Sequence, residues 1–269
     1  MTPEEPDVNL APAAAGPPEA ASEQTAAPEF PAALPPPPQR DPFWGYSDLL
    51  WFFGMAIASV LASWVVEWFT LKFVKLEVAS LAAGMLVLYG LLFGSLRIMF
   101  RVLYDRPFWR SLGWTPIRLP VMWVMLCGMM TAVLVALAST LIHTPTGDNP
   151  MTRLMETRAE VLVMGALGIT LAPLCEELAF RGFLQPLLVR SLGAVPGIAL
   201  AAAAFGLLHY QEYGNSWRHV LIIAMAGAAF GWMRHLTGST KAAAIMHAAY
   251  NSLFFIALMT EKRILPHLW

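Results

Sequence analysis

Charge is scarce in this chain of 269 residues. Asp, Glu, Lys and Arg make up 13% of it, against 57% hydrophobic residues. Neither sign dominates. The net charge of -1 excludes the broad basic surface that a nucleic-acid binder needs. Cysteine is nearly absent. Cys127 and Cys175 both lie in apolar runs, so they give no disulfide framework and no CxxC metal spacing. The helical zinc-protease signature HExxH is missing. The N-terminus has no basic start followed by an apolar stretch, so no signal peptide is expected. No internal repeat is visible, which counts against an inverted-repeat transporter using the glutamates as a proton relay.

What is abundant is unevenly placed. The first 45 residues hold 12 of the 21 prolines. They also carry Glu4, Glu5, Asp7, Glu19, Glu23, Glu29 and Asp41 against a single base, Arg40. Such a segment has little to bury, and Pro35 to Pro38 favour polyproline II. Residues 1–45 are therefore expected to be a disordered, acidic tail, and 46–269 a membrane domain. A hydrocarbon core of about 30 Å takes roughly 20 apolar residues in a helix. Segments of that character occur at about 49–71, 78–96, 119–142, 161–188, 196–209, 219–233 and 242–259. The fold class expected is all-α: a polytopic helical membrane bundle of about seven spans, the fifth and sixth of them short.

The flanks agree with that reading. Trp44, Trp51, Trp64, Trp68, Trp109, Trp114 and Trp123 cluster near expected helix ends, where interfacial aromatics belong. The stretch between the second and third spans carries Arg97, Arg101, Arg106, Arg110 and Arg118 against Asp105 alone. By the positive-inside rule it is a cytoplasmic loop, and with two spans before it the N-terminus is cytoplasmic too.

An ionisable group in hydrocarbon is costly and persists when paired or useful. The fourth segment contains Glu176, Glu177 and Arg181 in otherwise apolar sequence. Glu177 and Arg181 are four apart and share a helix face, which suits an ion pair. Glu176 points about 100° away and is left to face something else. A desolvated carboxylate beside another carboxylate suits a general base. Pro173 frees the carbonyl of Ile169, so a kink is expected just before the glutamates. These polar groups could equally serve only to hold a bundle together.

Two later spans add Phe205 with His209, and His247 with Asn251, each pair four apart on one face. Stripes of Ala and Gly at Ala199 to Gly206, Ala224 to Gly231 and Ala242 to Ala249 allow close helix packing. Such packing would bring the polar groups to one cavity. A carboxylate and a histidine can activate water, and a histidine with an asparagine can hold an oxyanion. His and Glu also suit zinc, although two adjacent carboxylates are poorly spaced for one ion. Cys175 reads as a small buried hydrophobe rather than a nucleophile.

The boxes Glu176-Glu177-x-x-x-Arg181-Gly182, Phe205-x-x-x-His209 and His247-x-x-x-Asn251 occur in that order. In this the chain resembles the CAAX protease and bacteriocin-processing family of intramembrane proteases. Ser111-Leu112-Gly113-Trp114 resembles a segment that the family often carries before an early helix. The resemblance covers about residues 95–260. It implies a helical membrane endopeptidase acting on a membrane-associated or prenylated peptide, in the bilayer of the cell membrane. It also implies roles: Glu176 with His209 activating water, His247 with Asn251 forming the oxyanion hole, and Glu177 with Arg181 supporting the site. A mechanism without a bound metal fits these residues better than zinc. Some members of the family are thought to be immunity factors or adaptors, so the alternative is a non-catalytic protein binding a peptide in the same cavity.

Overall fold

Long apolar runs with few internal breakers fold here as helices, as their composition requires. The computed structural model describes residues 41–147 and 149–261. Most of the expected acidic tail, residues 1–40, lies outside the described residues.

A long hairpin opens the domain: α1 (Tyr46–Val74) and α2 (Glu77–Tyr104) pack along each other. A short helix, α3 (Phe108–Ser111), leads to α4 (Val121–Leu141). A second short helix, α5 (Pro150–Arg153), precedes a compound rod. The rod comprises α6 (Arg158–Ile169), α7 (Leu171–Glu177), a π-helical turn at Leu178–Leu184, and α8 (Gln185–Leu192). Three helices complete the fold: α9 (Ala194–Leu208), α10 (Trp217–Thr237) and α11 (Thr240–Glu261). There are no strands among the described residues.

Six helical stretches are long and apolar enough to cross a membrane, and α9, at 15 residues, is a shorter apolar helix. Large apolar side chains such as Leu50, Ile57, Trp64, Phe73 and Leu141 are exposed on the outside. A face of that kind suits lipid and would be a liability in water. The chain is an integral membrane protein.

Local chemistry sets the helix ends. Thr157 and Glu160 form a capping box that starts α6. Ser216 caps α10 by accepting the His219 N–H, and Gly238 ends α10 with φ at +66°, a conformation that glycine adopts freely. The rod breaks at Thr170, where proline three residues on cannot supply an N–H. The expected kink before the glutamates is therefore present. One boundary differs from expectation. The second span continues to Tyr104, so Arg97 and Arg101 lie on α2 rather than in a loop. Arg101 pairs with Asp105 at the helix end, where a basic side chain also complements the helix dipole.

α11 is the hub. It packs on α4, α6, α7 and α10, while α9 packs on α8 and α10. Small residues make this possible. A side chain at Gly227 would meet Phe205 at 3.0 Å and Arg181 at 3.1 Å. One at Gly182 would meet the Leu112 carbonyl at 2.9 Å. The loop after α3 is stitched to the α10–α11 turn. Thr240 donates its N–H to the Gly113 carbonyl at 2.8 Å and its hydroxyl to the Leu112 carbonyl at 2.6 Å. Ser239 donates to the Thr115 carbonyl at 2.8 Å. Just before α1, buried Trp44 stacks on Phe183 and donates its indole N–H to the Phe183 carbonyl at 3.1 Å. The N-terminal hairpin is thus fastened to the π turn.

Candidate active site

The rod carries two carboxylates into unlike surroundings. Glu177 is fully buried. Its Oε1 accepts from Arg181 Nη1 at 2.8 Å and from His247 Nδ1 at 3.0 Å. Arg181 is equally buried, and its Nη2 donates to the Gly227 carbonyl at 2.7 Å. The guanidinium lies 4.5 Å from the Phe205 ring centre and 5.5 Å from that of Phe230. Arginine suits such a place because its planar fork can bond in two directions while its faces stack on aromatics. The absence of a side chain at Gly227 is what admits it.

Glu176 is one residue earlier and remains 22% exposed. Its Oε2 lies 3.9 Å from His247 Nε2. His247 therefore sits between the two carboxylates, in hydrogen-bond contact with Glu177 and near Glu176. Phe230 stacks on its ring at 4.5 Å between centres, and Phe205 meets it edge-on at 5.9 Å. One turn further along α11, Asn251 Nδ2 donates to the Gly168 carbonyl at 2.7 Å. That carbonyl lies just before the kink in the rod.

His209 stands at the end of α9. Its Nδ1 is 2.8 Å from the Phe205 carbonyl, so Nδ1 carries the hydrogen, because a carbonyl can only accept. Its Nε2 then faces Glu212, at 4.0 Å from Oε2. No ion-pair contact within 4.0 Å joins His209 to Glu176 among the described residues. The structure thus groups Glu176, Glu177, Arg181, His247 and Asn251 around the rod and α11. It sets His209 on the neighbouring α9 with a different carboxylate.

Glu212 was not singled out from the sequence. The available signal was its place three residues after His209, within one helical turn. It belongs to the loop between α9 and α10, and its backbone carbonyl accepts the Met151 N–H at 3.2 Å. Desolvation raises its carboxyl above the usual range, the His209 charge opposes that rise, and Glu176 adds to it. Its neighbour Tyr213 is pushed up to about 12 by burial, with Glu212 and Glu176 contributing. Both shifts place Glu176 within electrostatic reach of this loop. Gln185 was also missed. It is buried on α8 and donates to the Gly231 carbonyl at 2.9 Å, which locks the rod to α10 beyond the ion pair.

Among the described residues no three His, Cys, Asp or Glu side chains gather as a group able to hold a metal ion.

The order of the three boxes along the rod, α9 and α11 has a counterpart outside this chain. Residues 158–253 match a family model described as type II CAAX prenyl endopeptidase Rce1-like. Over that segment the chain belongs to the CAAX protease and bacteriocin-processing family. The matched segment of this CAAX protease family member runs from α6 into α11 and contains Glu176, Glu177, Arg181, His209, His247 and Asn251. α1 to α5 lie before it. No curated protein and no solved structure matches the chain. The protein is thus a membrane protein of a peptidase family.

Proposed function

We propose that the protein is an intramembrane endopeptidase that hydrolyses a peptide bond in a membrane-associated or lipidated substrate, with Glu176 as the general base. One observation carries this reading. The buried Glu177–Arg181–His247 network uses up Glu177 and leaves Glu176 as the partly open carboxylate beside His247.

In the proposed reaction Glu176 takes a proton from water as the water oxygen bonds to the scissile carbonyl carbon. The carbonyl oxygen becomes an oxyanion. Asn251 has a second amide hydrogen beyond the one given to Gly168. His247, when protonated at both nitrogens, donates through Nδ1 to Glu177 and through Nε2 toward Glu176. These two donors are the proposed oxyanion hole. The carbon–nitrogen bond then breaks, and the proton held by Glu176 passes to the leaving amine. Glu177 and Arg181 hold the His247 ring in place. His209, with Nδ1–H fixed on the Phe205 carbonyl, presents Nε2 as a proton acceptor assisting the attacking water. Glu212 steadies that ring. No step needs a metal, and the donor set does not suit one. Arg181 already supplies the positive charge that Glu177 requires, which leaves Glu176 and His247 as the remaining pair near that network.

We also propose that the basic end, with Arg106, Arg110 and Arg118, faces the cytoplasm together with the N-terminus, in the cell membrane. Cytoplasmic protease should then remove an N-terminal tag in inside-out vesicles and leave it intact in right-side-out ones.

The deciding experiment compares membrane peptides in cells carrying wild type or Glu176→Gln, followed by assay of both purified proteins on the peptides that change. Loss of a general base should slow cleavage roughly 10²–10⁴-fold while insertion and melting behaviour are kept. Undiminished turnover by purified Glu176→Gln protein removes Glu176 from the role.

A further inference from the structure

One cleft lies outside the machinery just described. It has a volume of about 260 Å³ and is bounded by α2, α3, α7 and the start of the π turn. Its walls are mostly apolar: Phe93, Phe108, Trp109, Leu174, Cys175 and Leu178. Gly94 opens its α2 side, where a Cβ would meet nothing within 4 Å. The surroundings identify it as a membrane-facing feature. Leu91, Ile98 and Trp109 beside it are exposed apolar side chains on a spanning hairpin and its connecting helix.

Arg97 is the exception among these walls. It lies on α2 seven residues before the helix ends at Tyr104, on the exposed surface, and lines the same cleft. It has no hydrogen bond or ion pair among the described residues. Arg101, one turn on, is already paired with Asp105. A guanidinium on a spanning helix needs an anionic or strongly accepting partner, and its long stem lets the head reach toward the interface while the methylenes stay in apolar surroundings. The chain offers no carboxylate for it among the described residues. An apolar slot with an unneutralised arginine at its rim is complementary to one kind of molecule, a hydrocarbon chain ending in an anion. The cleft is too small for a whole lipid and suits part of one chain.

We infer that the cleft between α2, α3 and α7 is a binding site for an anionic phospholipid, with one acyl chain against Gly94, Leu174, Cys175 and Leu178 and the phosphate on Arg97. The chain would press on the face of α7 that adjoins Glu176. The lipid would therefore brace the carboxylate-bearing rod from outside. This inference concerns binding alone and does not depend on the reaction proposed for the site.

The test uses full-length protein purified in mild detergent and exchanged into nanodiscs of phosphatidylglycerol with phosphatidylcholine. Retained lipid is counted by native mass spectrometry after extraction. Wild type should keep phosphatidylglycerol in preference to phosphatidylcholine. Arg97→Gln should weaken that preference roughly ten- to hundredfold, the scale of losing charge-assisted hydrogen bonds, and Arg97→Lys should retain part of it. Gly94→Phe should reduce retention of both lipids by filling the slot, with Gly94→Leu as the milder filler if the larger ring impairs folding. Equal retention of phosphatidylglycerol by wild type and Arg97→Gln overturns the site, as does full retention by a folded Gly94 variant. Displacement by millimolar inorganic phosphate would assign Arg97 to the free anion and overturn the lipid. Unchanged lipid retention in Arg97→Gln with weakened peptide binding would assign the arginine to a peptide carboxylate, with the same consequence.

Discussion

Replacing Arg181 by methionine isolates the energetic role of the buried network. Arg181 and Glu177 are 1% and 0% exposed, and they meet at 2.8 Å. Methionine keeps much of the volume against Phe205 and Phe230 but leaves the Glu177 carboxylate without its cation. Breaking a buried pair from one side costs about 3–5 kcal/mol. On that scale the folded-to-unfolded ratio falls by roughly two to nearly four decades. Adding Glu177→Leu removes the stranded charge, so the double variant should recover most of the loss even though His247 then lacks its Nδ1 acceptor. Unfolding in graded denaturing detergent, followed by tryptophan fluorescence, gives both values and their coupling. A single Arg181→Met variant within about 1 kcal/mol of wild type, the range of an exposed pair, would show that the network is not desolvated and would refute the reasoning.

Other outcomes follow from the same packing. Gly227→Val should loosen Arg181, since even a Cβ there would lie 3.1 Å from Nη2 and 3.0 Å from the Phe205 ring; lowered thermal stability with lost turnover is expected, and an unaltered melting curve would contradict the tight fit. Trp44→Ala should destabilise the protein by about 3–5 kcal/mol, the usual range for emptying a buried aromatic site, because Trp44 stacks on Phe100 and Phe183 as well as bonding the Phe183 carbonyl. Desolvation raises the Glu212 carboxyl, so the native state holds that proton at a pH where the unfolded chain has released it. Stability should therefore fall as pH rises from the ordinary carboxylate range through the raised value, and Glu212→Gln should flatten that decline in melting temperature.

The spanning helices were legible because length and apolarity decide them, and the kink at Thr170 because Pro173 announces it. The Glu177–Arg181 contact was legible as a four-residue spacing. What joins these pieces was not. The hydrogen bond from His247 to Glu177 spans 70 residues, and that from Arg181 to Gly227 spans 46. No local pattern encodes which helix faces which. Arg97 and Arg101 looked like loop residues because basic side chains usually sit outside hydrocarbon; the helix continues under them because nothing in the run to Tyr104 breaks it. His209 shared a motif with Phe205, and that partner proved to be the carbonyl one turn back, while the side-chain partner Glu212 lay in a stretch that reads as a plain connection. The π turn was invisible, since Leu178 to Leu184 contains nothing that disfavours an ordinary α-helix.

That wide turn has a consequence for how the sequence can change. A π turn holds about one residue more than α-helix of the same rise. The extra residue works like a fixed offset between two threaded rods. Deleting any one residue from Leu178 to Leu184 would let regular winding return and would twist the stretch bearing Glu176 and Glu177 by about 100° relative to Gln185 and α8. Such a loss would alter aim rather than length, swinging both acids off His247 while the chain still crossed the bilayer. A point substitution in this stretch is thus a smaller insult than a one-codon gap.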